Sequence, residues 1–267
     1  MARWQRALVT GASAGIGRSI ARQLAADGVD LVLVARRAAR LEALRDELLA
    51  HHPSVTVEVL AADLAAPDGV ALVAARVAAT DHPIDLLVNN AGFGLAGRVW
   101  ERRVEDALAQ IDVNVRALVQ LAHAAATSML REGHGTIVNV SSIAGLQPSP
   151  GHAVYAATKS FVTTFSESLA LELKGTGVTV TAACPGLTHS EFHTVSGGPA
   201  STGPSFLWMD ADAVARDTLD AAARGRVVRV NGFPNRVLAT LSQAAPRSVR
   251  RAVVGRVVSR VRPKLPR

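Results

Sequence analysis

The chain has 267 residues, of which 49% are hydrophobic and 19% charged, which excludes a disordered chain and supplies material for one large core, as α/β chains of this length often build. The sole cysteine, Cys184, excludes an intrachain disulfide and a cysteine zinc cluster, and no unbroken apolar run reaches the roughly 18 residues of a transmembrane helix. The net charge of +7 is concentrated at one end: residues 224–267 hold twelve Lys/Arg and no Asp/Glu, leaving the first 223 residues at −5.

In chain order, RALVT (6–10), DLVLVA (30–35), VTVEVLAAD (55–63), IDLLVNNAG (84–92), GTIVNVSS (135–142), VTVTAACPG (178–186) and RVVRVNG (226–232) read as strands. Helical patterns lie between them, near 16–27, 38–51, 68–80, 102–131, 153–174 and 211–223. Such alternation implies βαβ units, and strands apolar almost throughout suit a parallel sheet covered on both faces. The expectation is an α/β fold with a doubly wound, Rossmann-like parallel sheet of about seven strands. Residues 1–232 form one dinucleotide-binding catalytic domain in this reading, and 233–267 a basic helical extension. The N-terminus runs directly into a strand and lacks a signal-peptide layout, so the expected location is cytoplasmic.

The first strand ends in TGASAGIG, with Gly11, Gly15 and Gly17, and a helix follows. Glycines at such a turn let the backbone approach a pyrophosphate, whose charge the helix N-terminus favours. Folds that choose NAD place an acid at the end of strand two to bind the ribose hydroxyls. Here Ala35 stands there and Arg36 follows, and a guanidinium can pair with a 2′-phosphate. NADPH is therefore expected over NADH.

The only tyrosine, Tyr155, lies four residues before Lys159 in YAATK, a spacing that puts both on one helix face. A free tyrosine, with a pKa near 10, is a poor acid–base group at neutral pH, and a nearby cation favours its ionised form. The pair thus reads as a general acid with the cation that tunes it.

Together these motifs resemble the short-chain dehydrogenase/reductase family in its single-domain branch, from about Ala7 to Gly232. TGASAGIG is similar to the family's cofactor turn, implying contacts from Thr10, Gly11, Ser13, Gly15, Ile16 and Gly17. Asp63, with Leu64, resembles the adenine contact after strand three, and Asn90, Ala91 and Gly92 of NNAG resemble the segment beside the cofactor. Asn114 falls at the family's helix asparagine. Ser142 lies thirteen residues before Tyr155, the family's usual separation. Pro185, Gly186, Thr188 and Ser190 of PGLTHS are similar to its segment over the nicotinamide. The wording around these motifs is similar to bacterial ketoacyl or steroid-type reductases. Two departures stand out: Ala14 occupies a site where many NADP-preferring members carry Lys or Arg, and Ser190 stands where Thr is usual.

The resemblance implies that Ser142 binds the substrate oxygen, Tyr155 and Lys159 carry the proton and cofactor contacts, and Asn114 holds a water leading to solvent. It also implies a homodimer or homotetramer formed through the helices near 102–131 and 153–174. Residues 187–210, with Phe192, Phe206, Leu207, Trp208 and Met209, read either as a lid over a hydrophobic carbonyl substrate or as plain core packing. His189 and His193 could be drawn as a metal pair, but zinc sites usually need three placed ligands, and no metal is expected. The tail reads as a contact for an anionic membrane surface, a subunit contact or a solvated extension. It has few aromatics for base stacking, which disfavours nucleic acid. The rival function is a dinucleotide sensor or membrane-surface scaffold without turnover, whose expected mark is loss of Ser142, Tyr155 or Lys159; all three are present.

Overall fold

A computed structural model describes residues 3–189, 207–252 and 254. Seven parallel strands, β1 (Arg6–Thr10), β2 (Asp30–Ala35), β3 (Val57–Ala61), β4 (Leu86–Asn89), β5 (Gly135–Val140), β6 (Val178–Cys184) and β7 (Val228–Val230), form one sheet in the order β3-β2-β1-β4-β5-β6-β7. In the five inner strands the Val, Leu and Ile side chains are buried on both faces, which is why those strands read as unbroken apolar runs, while the edge strands β3 and β7 are only partly buried. Each is shorter than or equal to its expected span. The trimmed ends, such as Asn90–Gly92 and Ser141–Ser142, leave the sheet as loops at its C-terminal edge.

Helices cover both faces. On one side α1 (Gly15–Ala26) and α2 (Ala38–His51) pack over β1 to β3 and α7 (Ala211–Ala223) over β5 and β6, joining Leu24, Leu41 and Leu219 in one core. On the other, α3 (Pro67–Ala78), α5 (Leu118–Glu132) and the end of α6 (Ala153–Glu172) bring Val73, Leu121 and Leu173 against β4 to β6. An ion-pair network fastens α1 to α2, with Arg18 and Arg22 at 2.7 and 2.6 Å from Glu47. These pairs hold the Glu47 carboxyl down to about 2.

The helix expected over 102–131 is present: α4 (Val104–Ile111) runs without a break through a π-helical turn, Asp112–Ala117, into α5, and a separate 3-10 turn occupies Val99–Glu101. The wide turn contains Asn114, and such turns recur at functional sites. Within it the Asn114 side chain reaches the backbone of Phe93 rather than its own helix.

Beyond β7 the chain turns at Gly232, with φ +81, into α8 (Phe233–Ala244). This helix packs against the short 3-10 turn Ile143–Leu146. No described helix is long and apolar enough to cross a membrane.

Candidate active site

Because all strands are parallel, their C-terminal ends share one edge. The strand order reverses between β1 and β4, where a crevice opens in such sheets. The described residues expected at the site lie on this edge or on the first turns that follow it, except Asn114, which stands in the π-helical turn between α4 and α5.

The glycine turn is braced rather than loose. Gly11 has φ +66, and a side chain at Gly17 would run into Asn90 and the Gly11 backbone. Asn90 Nδ2 donates to the Thr10 carbonyl at 2.9 Å, and the Asn90 and Ala91 amides donate to Thr10 Oγ1 at 2.9 and 3.0 Å. Helix α1 then starts at Gly15, with Ala14 as a cap that offers no side-chain acceptor and no acid in the first turn. Its free N–H groups suit a phosphate. Ile16 is half-buried behind them.

Arg36 is exposed just beyond β2, and Ala35 leaves no carboxylate there. Arg37, not singled out in the sequence, donates from Nη2 to Ser13 Oγ at 3.2 Å. It spans the end of β2 and the glycine turn, so two guanidiniums border this corner. Exposed Asp63 lies two residues past β3 and accepts from the Ala65 amide at 3.0 Å, with Leu64 buried beside it. The polar set at this corner fits a phosphorylated adenine nucleotide.

On α6, Lys159 is only 4% exposed and donates from Nζ to the Val140 carbonyl at 2.7 Å. The same nitrogen is 5.8 Å from the Tyr155 ring centroid. Burial lowers the lysine pKa to about 8. The half-buried Tyr155 is hydrogen-bonded to Ser142, yet desolvation dominates and its pKa is pushed up to about 12. Loss of hydration at the phenol outweighs what the Ser142 hydrogen bond returns.

Ser142 caps the turn Ile143–Leu146, its Oγ accepting from the Ala144 amide at 3.1 Å. Its neighbour Ser141, not singled out in the sequence, donates to the Lys159 carbonyl at 2.7 Å and lies 2.8 Å from Thr163 Oγ1. That contact pins β5 to α6 and so sets the spacing of Ser142 from Tyr155. Asn114 is 1% exposed, donates to the Phe93 carbonyl and to Thr158 Oγ1 at 2.9 and 3.1 Å, and accepts from the Phe93 amide. A side-chain carbon on Gly92 would stand 2.9 Å from Asn114 Oδ1 and 3.3 Å from Lys159 Nζ. Glycine there keeps the space between these two polar groups open.

Pro185 and Gly186 follow β6, with Gly186 against Asn235 of α8. Thr188 pairs with Met209, whose amide donates to the Leu187 carbonyl at 2.8 Å, and His189 stacks on Trp208 at 4.8 Å. The two ends of the segment 187–210 are thereby fastened together. Ser190, Phe192, His193 and Phe206 lie outside the described residues. Among the described residues no three His, Cys, Asp or Glu side chains gather as a metal site would require.

The family model for short chain dehydrogenases matches residues 5–197. The chain belongs to the short-chain dehydrogenase family. It is 39% identical over 213 residues to a sulfoacetaldehyde reductase of Chromohalobacter salexigens, spanning 79% of this chain and 83% of that protein. It is 40% identical over 192 residues to an NADP-dependent 3-hydroxy acid dehydrogenase of Salmonella typhi, spanning 70% and 75%. Among solved structures, a short-chain dehydrogenase from Sphingobium yanoikuyae in complex with NADPH superposes with a TM-score of 0.82, 35% identity, and 94% and 95% coverage.

Proposed function

We propose that this short-chain dehydrogenase is an NADPH-dependent reductase that converts a carbonyl, an aldehyde or ketone on a partly hydrophobic molecule, to an alcohol. The observation that carries the reading is the Ser142–Tyr155 hydrogen bond with the Lys159 ammonium 5.8 Å from the tyrosine ring. Relatives whose names specify NADP or NADPH, and the pair Arg36 and Arg37, support the cofactor choice.

Thr10, Gly11, Ser13, Gly15, Ile16 and Gly17 would hold the pyrophosphate side, and Arg36 with Arg37 the 2′-phosphate. Asp63 and Leu64 would border the adenine. Asn90, Ala91 and Gly92, with Pro185, Gly186, Thr188 and Ser190, would flank the nicotinamide. When bound, NADPH supplies the hydride. Ser142 would hydrogen-bond the substrate oxygen and stabilise its developing charge. Tyr155, protonated up to about 12 in this arrangement, would hold the proton that moves to that oxygen. The Lys159 cation would favour the tyrosinate left behind and bind the ribose hydroxyls. Asn114, across Gly92 from Lys159, would keep a water for returning the proton.

The same reading makes the protein a cytoplasmic homodimer or homotetramer, with its basic extension available to an anionic membrane surface. The deciding experiment is a screen of 3-oxoacyl thioesters, ketosteroids, small acidic aldehydes and simple ketones, following NADPH absorbance. Substrate-dependent oxidation of NADPH, abolished by Tyr155→Phe, is the expected result. NADPH binding without turnover on any class would count against an enzyme.

A further inference from the structure

Helix α8 presents its apolar side to solvent. At 100° per residue, Phe233, Val237, Leu238 and Leu241 fall within one arc, and all four are exposed, Phe233 at 73% and Leu241 at 64%. The opposite side is the one that docks: Asn235 and Ala239 are buried, and Ser242 donates to Gln147 Oε1 at 3.2 Å. A surface helix of a globular protein ordinarily turns such an arc inward, and a rimmed apolar patch on the outside marks an interaction site.

The charge beside this arc identifies its occupant. Exposed Arg247 and Arg251 follow the helix, Val249 between them is 48% exposed, and the remaining sequence adds Arg256, Arg260, Arg262, Lys264 and Arg267. No acidic residue occurs anywhere from 224 to 267. Apolar side chains flanked by cations without acids complement a surface that is apolar below and anionic above, which is the chemistry of anionic phospholipid. A second copy of the same positive segment would meet like charge.

We propose that the outward arc of α8, with the cations that follow it, seats the protein on anionic lipid bilayers. This rests on the peripheral placement given with the proposed function and gives it a defined surface. The seating is peripheral and reversible. The side chains Phe233 and Leu241 enter the headgroup boundary while the Arg side chains pair with lipid phosphates.

The test is cosedimentation of the full-length protein with phosphatidylcholine vesicles, with and without phosphatidylglycerol, at low and high salt. Phe233→Ser and Leu241→Ser alter exposed side chains outside the catalytic machinery, so NADPH binding should be retained and certifies folding. Expected are salt-sensitive binding to the anionic vesicles only and a partition coefficient at least about tenfold lower in each variant, as withdrawing one large apolar side chain from lipid requires. Absence of wild-type binding to anionic vesicles at low salt overturns the proposal, as does binding that both variants leave unchanged. A wild-type oligomer that Leu241→Ser splits, with no vesicle binding, overturns it in favour of a contact between copies. Vesicle binding is read without substrate, so failure to find turnover bears on the enzyme reading alone.

Discussion

Lys159 is anchored through its Nζ to the Val140 carbonyl, 2.7 Å away at the end of β5. That bond fixes the ammonium beside Gly92 while burial holds its pKa to about 8. The cation is thus present below about 8 and lost as pH rises through that value. Carbonyl reduction at limiting substrate should therefore decline above about pH 8, although Tyr155 stays protonated well beyond it. A kcat/KM profile flat far into the alkaline range would refute the role given to Lys159.

Tyr155→Phe would remove the proposed proton donor and keep the ring. Turnover should fall by about 10²–10⁴-fold, the usual worth of a placed acid, while NADPH affinity changes little. Lys159→Ala should lower both. Single-turnover rates and cofactor titrations on a verified substrate separate the two outcomes.

The corner formed by Arg36, Arg37 and Ser13 predicts cofactor preference. Arg36→Asp should weaken NADPH binding by about 10–100-fold, the scale of one charge-assisted hydrogen bond, and improve NADH relative to it. Arg37→Ala should weaken NADPH more than NADH, because its contact with Ser13 places it by the same corner. Equal titration curves for both cofactors with the wild-type protein would remove the assignment.

Val104, Leu108 and Ile111 form an exposed apolar face on α4, and Phe161 on α6 is also exposed, stacked with Phe165. Two-fold pairing of these helices would cover them. Light scattering at micromolar concentration should give at least a dimer, and Leu108→Asp should shift it toward monomer. A wild-type monomer would count against the pairing.

Glu47 offers a stability test away from the chemistry. Its folded pKa of about 2 lies below the usual 4.5, so its contribution is fully present above about 4.5 and lost as pH falls toward 2. All three side chains keep solvent contact, so Glu47→Gln should cost only about 1 kcal/mol near neutrality. Urea unfolding of both proteins should show that difference vanishing in acid.

Much of the fold was legible because a sheet buried on both faces leaves unbroken apolar runs, as in DLVLVA, and because glycine turns carry local sequence marks. The π-helical turn between α4 and α5 was not legible. Val104–Glu132 contains no glycine or proline to mark it, and Asn114 within it bonds to Phe93, twenty-one residues away. In the site, Tyr155 and Lys159 were visible from their four-residue spacing. Arg37 and Ser141 were not, since their roles depend on contacts with Ser13 and Lys159 that join distant segments. That 233–267 would be helical and basic was legible, but composition does not say which face of α8 turns inward.

Helix α8 also has an inner side, where Ser242 holds Gln147 and, just beyond the helix, Arg250 donates to the Leu146 carbonyl at 3.3 Å. Both partners belong to the stretch that begins at Ser142. A substitution that tilts this helix to suit its surroundings would therefore drag the serine's own loop with it. With α8 seated as proposed, where the protein sits and which molecules it accepts would not be free to evolve apart. A tag or fusion joined to the C-terminus would pull on the same connection, and an altered substrate profile in such a protein would be the sign of it.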